Sequence, residues 1–165
     1  MGGVRRLDMT ERMTATLSDV HAATRESSQC WHQLLDRIQS AEAVVGIIGL
    51  GYVGLPLAVA FARKGVRVVG FDVDKTKVAG LATGQSYVLD VPSSELAEVV
   101  SNNTFTATAD IEALRSADAI IICVPTPFAV DRAPDLSYIE NAAHAIAKIL
   151  PVSYTHLTLP TTPYV

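Results

Sequence analysis

Gly49-Leu50-Gly51-Tyr52-Val53-Gly54 places three glycines at the spacing G-x-G-x-x-G, and the flanking chain gives that spacing a meaning. An apolar run, Val44–Leu50, leads into it, and a helix-length stretch over about 52–64 follows. A strand that ends in such a turn and opens a helix is the cradle of a dinucleotide. Gly49 permits the tight turn, Gly51 lets backbone approach a pyrophosphate with no side chain between, and Gly54 lets the helix lie close to the strand. The anion then meets N–H groups without intrahelical partners at the positive end of the helix dipole. Pro56 falls in the first turn, where a missing N–H costs little. Glycines that only shape a βα turn are the competing reading.

A carboxylate stands where the same chemistry needs one. Asp72 closes the next apolar run 21 residues after Gly51. There it is expected to accept hydrogen bonds from the adenosine ribose hydroxyls and to repel a 2′-phosphate, which favours NAD over NADP. Lys77 lies about one turn after Asp74 and could reach the same ribose edge, with a solvated lysine as the alternative. Val124-Pro125-Thr126-Pro127 follows a later strand at its carboxyl end, where open α/β sheets bind ligands. Two prolines fix that loop and leave the Thr126 hydroxyl available to a cofactor or a water.

The elements that must position these residues alternate between strand and helix patterns from Val44 to Leu150, the mark of βαβ units around a parallel sheet. Strands are expected at Val44–Leu50, Arg67–Asp72, Phe105–Ala109 and Ala119–Val124, the last apolar throughout, as in a strand buried on both faces. Asp74 should cap a helix near 75–82 that stops at Gly84, Pro92 to Ser94 should start another to about Val100, and Asp110–Ser116 a short one. A final helix follows Pro134, with Ser137 and Glu140 as a capping box and Leu136, Ile139, Ala143, Ile146 and Ile149 or Leu150 as its buried face. The expected fold is a Rossmann-like doubly wound α/β domain over residues 43–150, incomplete after about four strands.

The ends differ in character. Residues 1–42 read as an extension in which Trp31, Leu34, Leu35 and Ile38 form one apolar helical stripe over about 26–40, suited to docking on a neighbour. His21 and His32 read as surface residues. Residues 151–165, PVSYTHLTLPTTPYV, replace an expected fifth strand with a Thr/Pro-rich segment that resembles translated adapter read-through. A non-native tail on a truncated frame is expected there, and Tyr154 and His156 are given no catalytic role.

Composition excludes other classes. With 13 Lys+Arg against 17 Asp+Glu, a net charge of -4 and no basic cluster, neither a nucleic-acid partner nor an anionic membrane surface is expected. Residues 43–62 carry no charge over a bilayer-spanning length, but four glycines and Pro56 split them into a strand, a turn and a helix. Residues 1–15 hold Arg5, Arg6, Asp8, Glu11 and Arg12 and lack the apolar core of a secretory leader. Two cysteines, Cys30 and Cys123, have no zinc-like spacing, so no metal is expected, and a reducing, cytoplasmic setting fits them.

These residues together resemble the UDP-glucose/GDP-mannose dehydrogenase family. The resemblance rests on VVGIIGLGYVGLPLAVAFARKG (44–65), VVGFDVD (68–74), Ser86-Tyr87 with Asp90-Val91, SADAIIICVPTP (116–127) and PDLSYIENAAHAIAKIL (134–150). Within the family, the Ser86-Tyr87 segment and the surroundings of Pro127-Phe128 and Pro134 are most similar to the UDP-N-acetyl-D-glucosamine 6-dehydrogenase branch. The resemblance implies a two-step, four-electron oxidation of a nucleotide sugar's C6 alcohol to a carboxylate, with two NAD reduced and a cysteine carrying the covalent intermediates. It implies NAD contacts from Gly49, Gly51, Tyr52, Val53, Gly54, Asp72, Lys77, Val124, Pro125 and Thr126, and a homo-oligomeric complete enzyme. The family's catalytic Cys and Lys would lie past residue 150, so the fragment itself is expected to be inactive. Cys123, inside an apolar strand, reads as a small core residue with a raised pKa. A 6-phosphogluconate or β-hydroxyacid type of NAD(P) dehydrogenase domain, disfavoured by the Val124–Pro127 loop, and a non-catalytic nucleotide-binding module are the alternatives.

Overall fold

The computed structural model describes residues 31–127 and 135–150. Expectations for Cys30, His21, the 151–165 tail and the other residues outside those ranges lie beyond the described residues. The chain divides into two compact units, Met1–Asp36 with Thr155–Val165, and Arg37–Tyr154. Of the first, residues 31–36 are described and are helical. The second opens with the end of the same helix, so that α1 covers residues 31–39. Trp31, Leu35 and Ile38 are exposed on it.

The second unit then runs β1 (Val44–Ile48), α2 (Gly54–Arg63), β2 (Arg67–Phe71), α3 (Lys75–Ala82), α4 (Ser93–Ser101), β3 (Phe105–Thr108), a 3-10 turn at Ile111–Ser116, β4 (Ala119–Ile122) and α5 (Ser137–Ile149). All pairings are parallel, in the order β3-β2-β1-β4. β1 and β2 are thus the inner strands, and all five residues of β1 are buried. Its side chains alternate between two cores. Val45 and Ile47 join Leu55, Val59, Leu96 and Val99 on one face of the sheet, and Ile48 joins Leu114, Ala142, Ile146 and Ile149 on the other. Helices cover both faces, so the expected doubly wound architecture is present.

Four helices end by one device. Ala41, Gly65, Gly84 and Asn103 take positive φ just past α1, α2, α3 and α4. After α2, Gly65 N–H donates to Ala62 O at 3.0 Å and Val66 N–H to Phe61 O at 3.2 Å, the pair of bonds that satisfies the last carbonyls of a helix. The chain reverses there, and β2 starts at Arg67. After α4 the same bonds run from Asn103 to Val100 and from Thr104 to Val99, and β3 starts at Phe105. Asp118 ties the start of this layer together, its Oδ2 accepting from Val44 N–H and from Arg37 Nη2, each at 2.8 Å.

Two expectations need correction. The Ala119–Val124 run is not buried on both faces: the strand is Ala119–Ile122, with Ala119 exposed and the three isoleucines half-buried. Among the described residues β4 pairs with β1 alone, so its outer side lacks the neighbour that would bury it. In α5 no side chain caps the helix from Leu136, the N-cap position. Asp135 does the work instead, its Oδ1 accepting Ser137 N–H at 3.0 Å, and those bonds hold its carboxyl below the usual carboxylate range. The buried face is Ala142, Ile146 and Ile149, while Leu136 and Ala143 are exposed, because Leu114 and Ile48 fix which of two similar stripes turns inward.

Candidate functional site

The glycine turn occupies the carboxyl end of β1, and its three glycines serve three distinct geometries. Gly49 has φ +90, and a Cβ there would lie 2.7 Å from the Cys123 carbonyl oxygen, so only glycine lets the exit of β4 close against the turn. Its N–H donates to Phe71 O at 2.8 Å, extending the β1–β2 ladder into the turn. Gly54 is the first residue of α2, and a Cβ on it would sit 1.8 Å from the Gly49 carbonyl oxygen. Gly51 differs from both: a Cβ there would meet nothing within 4 Å. The space before it is open, as a ligand approaching the backbone requires.

α2 begins without a side-chain cap and with no acidic residue in its first turn, so no side chain of its own neutralises its positive end. Tyr52 and Val53, 73% and 68% exposed, flank that end. Leu55, Ala58, Val59 and Ala62 recur at i, i+3, i+4 and i+7 and hold the helix to the sheet. The helix axis is therefore fixed by packing while its N-terminus faces out.

Asp72, 7% exposed, is the buried charged residue of the described chain. Its Oδ2 accepts from Leu50 N–H at 3.0 Å and its Oδ1 from Asp74 N–H at 3.0 Å. Each carboxylate oxygen has two lone pairs, so one on each remains for a ligand hydroxyl. Asp74 caps α3 as expected, Oδ1 accepting from Thr76 N–H at 2.9 Å and Lys77 N–H at 3.3 Å. Lys77 Nζ stands 5.4 Å from the centre of the Tyr87 ring, within reach of a cation–π contact. The Tyr87 hydroxyl donates to Leu50 O inside the glycine turn. Burial, then the charges of Asp72, Asp74 and Tyr52, push that phenol up to about 12.

Val124, Pro125 and Thr126 leave the carboxyl end of β4, Val124 half-buried and the other two exposed. Cys123 N–H donates to Ile48 O at 2.7 Å, which keeps this exit beside the exit of β1. The glycine turn, Asp72 and the Val124–Thr126 loop thus share one end of the sheet, with Lys77 on the adjacent helix. Cys123 is half-buried against the core, and burial raises its thiol pKa. Among the described residues no group of three His, Cys, Asp or Glu is placed to hold a metal. No helix among them is long and apolar enough to cross a membrane. A cavity of about 420 Å³ opens at the opposite, amino ends of the strands, lined by Arg37, Arg67, Asn103 and Thr104 among others, and is no part of this site.

Sequence reasoning missed Tyr87 as a site residue. Its contact with Leu50 spans 37 residues, and no local spacing signals it. It also missed the second task of Asp72, bracing the turn through Leu50 N–H. The residues present fit a dinucleotide: an uncapped helix start and open Gly51 for the pyrophosphate, and a buried carboxylate with spare lone pairs for a ribose.

The sequence model for the NAD binding domain of the UDP-glucose/GDP-mannose dehydrogenase family matches residues 43–163. UDP-N-acetyl-D-mannosamine dehydrogenase of Escherichia coli K12 is 36% identical over 110 residues, 66% of this chain and 25% of that protein. UDP-N-acetyl-D-glucosamine 6-dehydrogenase of Pseudomonas aeruginosa is 41% identical over 106 residues, 64% of this chain and 24% of that protein. The solved structure of UDP-D-ManNAc dehydrogenase from Pyrococcus horikoshii superposes with a TM-score of 0.61 at 36% identity, covering 65% of this chain and 26% of that one. The chain spans about a quarter of the length of these curated relatives.

Proposed function

The chain belongs to the UDP-glucose/GDP-mannose dehydrogenase family and carries its NAD-binding domain, and on that premise we propose how it holds NAD and what the complete protein does. Backbone N–H groups of Gly51, Tyr52, Val53 and Gly54 take the pyrophosphate at the start of α2, with Gly49 forming the turn. Asp72 accepts from the adenosine ribose hydroxyls, and its charge disfavours a 2′-phosphate. Lys77 lines the same edge. Val124, Pro125 and Thr126 border the cofactor where the β1 and β4 exits meet. Residues 43–150 form the NAD-binding Rossmann domain, and residues 1–42 an extension.

The observation that carries this reading is the joining of Asp72 to the glycine turn: the carboxylate that would bind the ribose is hydrogen-bonded to the loop that would bind the pyrophosphate. Bound NAD supplies the hydride acceptor. The complete enzyme oxidises the C6 alcohol of a nucleotide sugar, of the UDP-N-acetyl-hexosamine class, to a carboxylate, reducing two NAD and consuming one water. This chain contributes cofactor binding; the catalytic Cys and Lys belong to the remainder of the complete enzyme, a cytoplasmic homo-oligomer. The names of the relatives support the substrate class.

Calorimetric titration of NAD and NADP into the chain tests the cofactor site. NAD should bind at least tenfold more tightly than NADP, and equal or tighter binding of NADP would overturn the assignment of Asp72. The activity is tested on the full-length enzyme, where UDP-N-acetyl-hexosamines should give two NADH per sugar; one NADH per sugar would contradict it.

A further inference from the structure

Leu50 lies between the first two glycines of the turn, and both polar groups of its backbone are held by side chains from distant elements. Its N–H donates to Asp72 Oδ2 at 3.0 Å, and its C=O accepts from the Tyr87 hydroxyl. Its side chain is fully buried, so the residue is fixed on three sides. The carbonyl that Tyr87 holds belongs to the same peptide unit as the Gly51 N–H. A trans peptide is planar with C=O and N–H pointing in opposite directions, so anchoring the carbonyl fixes the direction of that N–H, away from the tyrosine. Gly51 is also the glycine with open space before it.

We propose that Tyr87 is a positioning residue for the cofactor: its hydroxyl sets the plane of the Leu50–Gly51 peptide and so aims the Gly51 N–H as an anion donor. Its ring does a second job, seating the Lys77 ammonium 5.4 Å from its centre, beside the Asp72 edge. The phenol is protonated throughout the physiological pH range, since its pKa is pushed up to about 12, and it is therefore a steady donor to the carbonyl. This role rests on the reading that the glycine turn receives the pyrophosphate of NAD.

Tyr87→Phe keeps the ring and removes only the hydroxyl. In the chain, NAD and ADP-ribose should each lose about fivefold in affinity, the scale of one hydrogen bond, while adenosine, which has a ribose but no pyrophosphate, should bind unchanged. A general structural role would weaken adenosine as well, so equal losses for all three ligands overturn the inference, as does unchanged ADP-ribose affinity. Amide hydrogen exchange on the ligand-free chain gives an independent reading. Exchange at Leu50, whose buried N–H is held by Asp72 within the same turn, should quicken several-fold in Tyr87→Phe, with Val45 and Ile47 in β1 unaffected. Unchanged exchange at Leu50 overturns the clamp itself. If the parent chain binds neither NAD nor ADP-ribose, the proposed cofactor site falls, and the exchange rates still decide whether Tyr87 holds the turn.

Discussion

Asp72 Oδ2 and the Leu50 amide, 22 residues apart in sequence, are joined by a 3.0 Å hydrogen bond across the ends of β2 and β1. Asp72 Oδ1 holds the Asp74 amide in the same way, and Asp74 in turn caps α3. A single buried carboxylate therefore organises the glycine turn and the entry to the next helix before any ligand arrives. In the proposed site the ribose adds to a network already assembled, which lowers the ordering cost of binding.

Asp72→Ala should consequently fail twice. It leaves two amides without their acceptor, one of them buried, and should cost about 2–3 kcal/mol of stability, the scale of a bond to a charged group or of an orphaned donor. NAD affinity should fall by about 1.5–3 kcal/mol as well. Asp72→Asn keeps one carbonyl acceptor and should recover part of the stability and little of the affinity. Urea unfolding measured beside NAD titration separates the two losses, and Asp72→Ala with parental stability would contradict the bracing role.

Gly51 and Gly54 predict opposite outcomes for one chemical change. A methyl at Gly54 would lie 1.8 Å from the Gly49 carbonyl oxygen, which is backbone and cannot move aside cheaply. Gly54→Ala should destabilise the chain by about 3 kcal/mol or more, or prevent folding. A methyl at Gly51 meets nothing within 4 Å, so Gly51→Ala should stay within about 0.5 kcal/mol of the parent. Its NAD affinity should nonetheless fall about tenfold or more, because the methyl occupies the approach of the pyrophosphate. A Gly51→Ala chain that binds NAD normally would remove the turn from the site.

What was legible in the sequence was what the chain encodes locally. Asp74 followed by an eight-residue helix, the Gly84 stop, and strands entered at Val44, Arg67 and Phe105 all follow from spacing and punctuation within about ten residues. Packing choices between equivalent local patterns were not legible. The stripe 139, 142, 146, 149 and the stripe 136, 139, 143, 146 both satisfy helical spacing in α5, and only contact with Leu114 and Ile48 selects the first. β4 reads as doubly buried because all its residues are apolar, yet its burial depends on a neighbour that composition cannot reveal. The glycines and Asp72 carry a fingerprint spacing that is visible in the sequence, and Asp72 is bonded to the turn; Tyr87 reaches Leu50 from a loop with no such spacing.

Alkaline pH should expose the Tyr87 environment. The folded phenol titrates at about 12 against an ordinary value of 10.0, raised chiefly by burial and then by Asp72 and Asp74. As pH rises the unfolded chain gives up this proton first. The stabilisation is complete below pH 10 and is lost as pH climbs through 12. Cys123, raised by burial from 9.0, adds a loss of the same sign that begins lower. Tyr87→Phe should therefore approach the parent in stability between pH 9 and 11.5, a difference measurement that cancels groups titrating in both chains. A constant gap across that range would contradict the raised phenol.

Cys123 should behave as a packing residue. It follows β4 by one position, and its Cβ lies 3.2 Å from where a Gly54 side chain would begin, so the thiol is wedged between the sheet and the start of α2. Burial raises its pKa, which lowers the thiolate fraction at neutral pH, and half-burial against the core restricts attack. Iodoacetamide at pH 8 should modify Cys123 about tenfold or more slowly than an unperturbed thiol in a peptide, as followed by peptide mass spectrometry that distinguishes it from Cys30. Cys123→Ala should bind NAD within about twofold of the parent, since the variant keeps the backbone carbonyl that closes on Gly49 and loses only the sulfur. Alkylation at the rate of a free peptide thiol, together with a large affinity loss in Cys123→Ala, would place a reactive sulfur inside the cofactor site and overturn its assignment to the core.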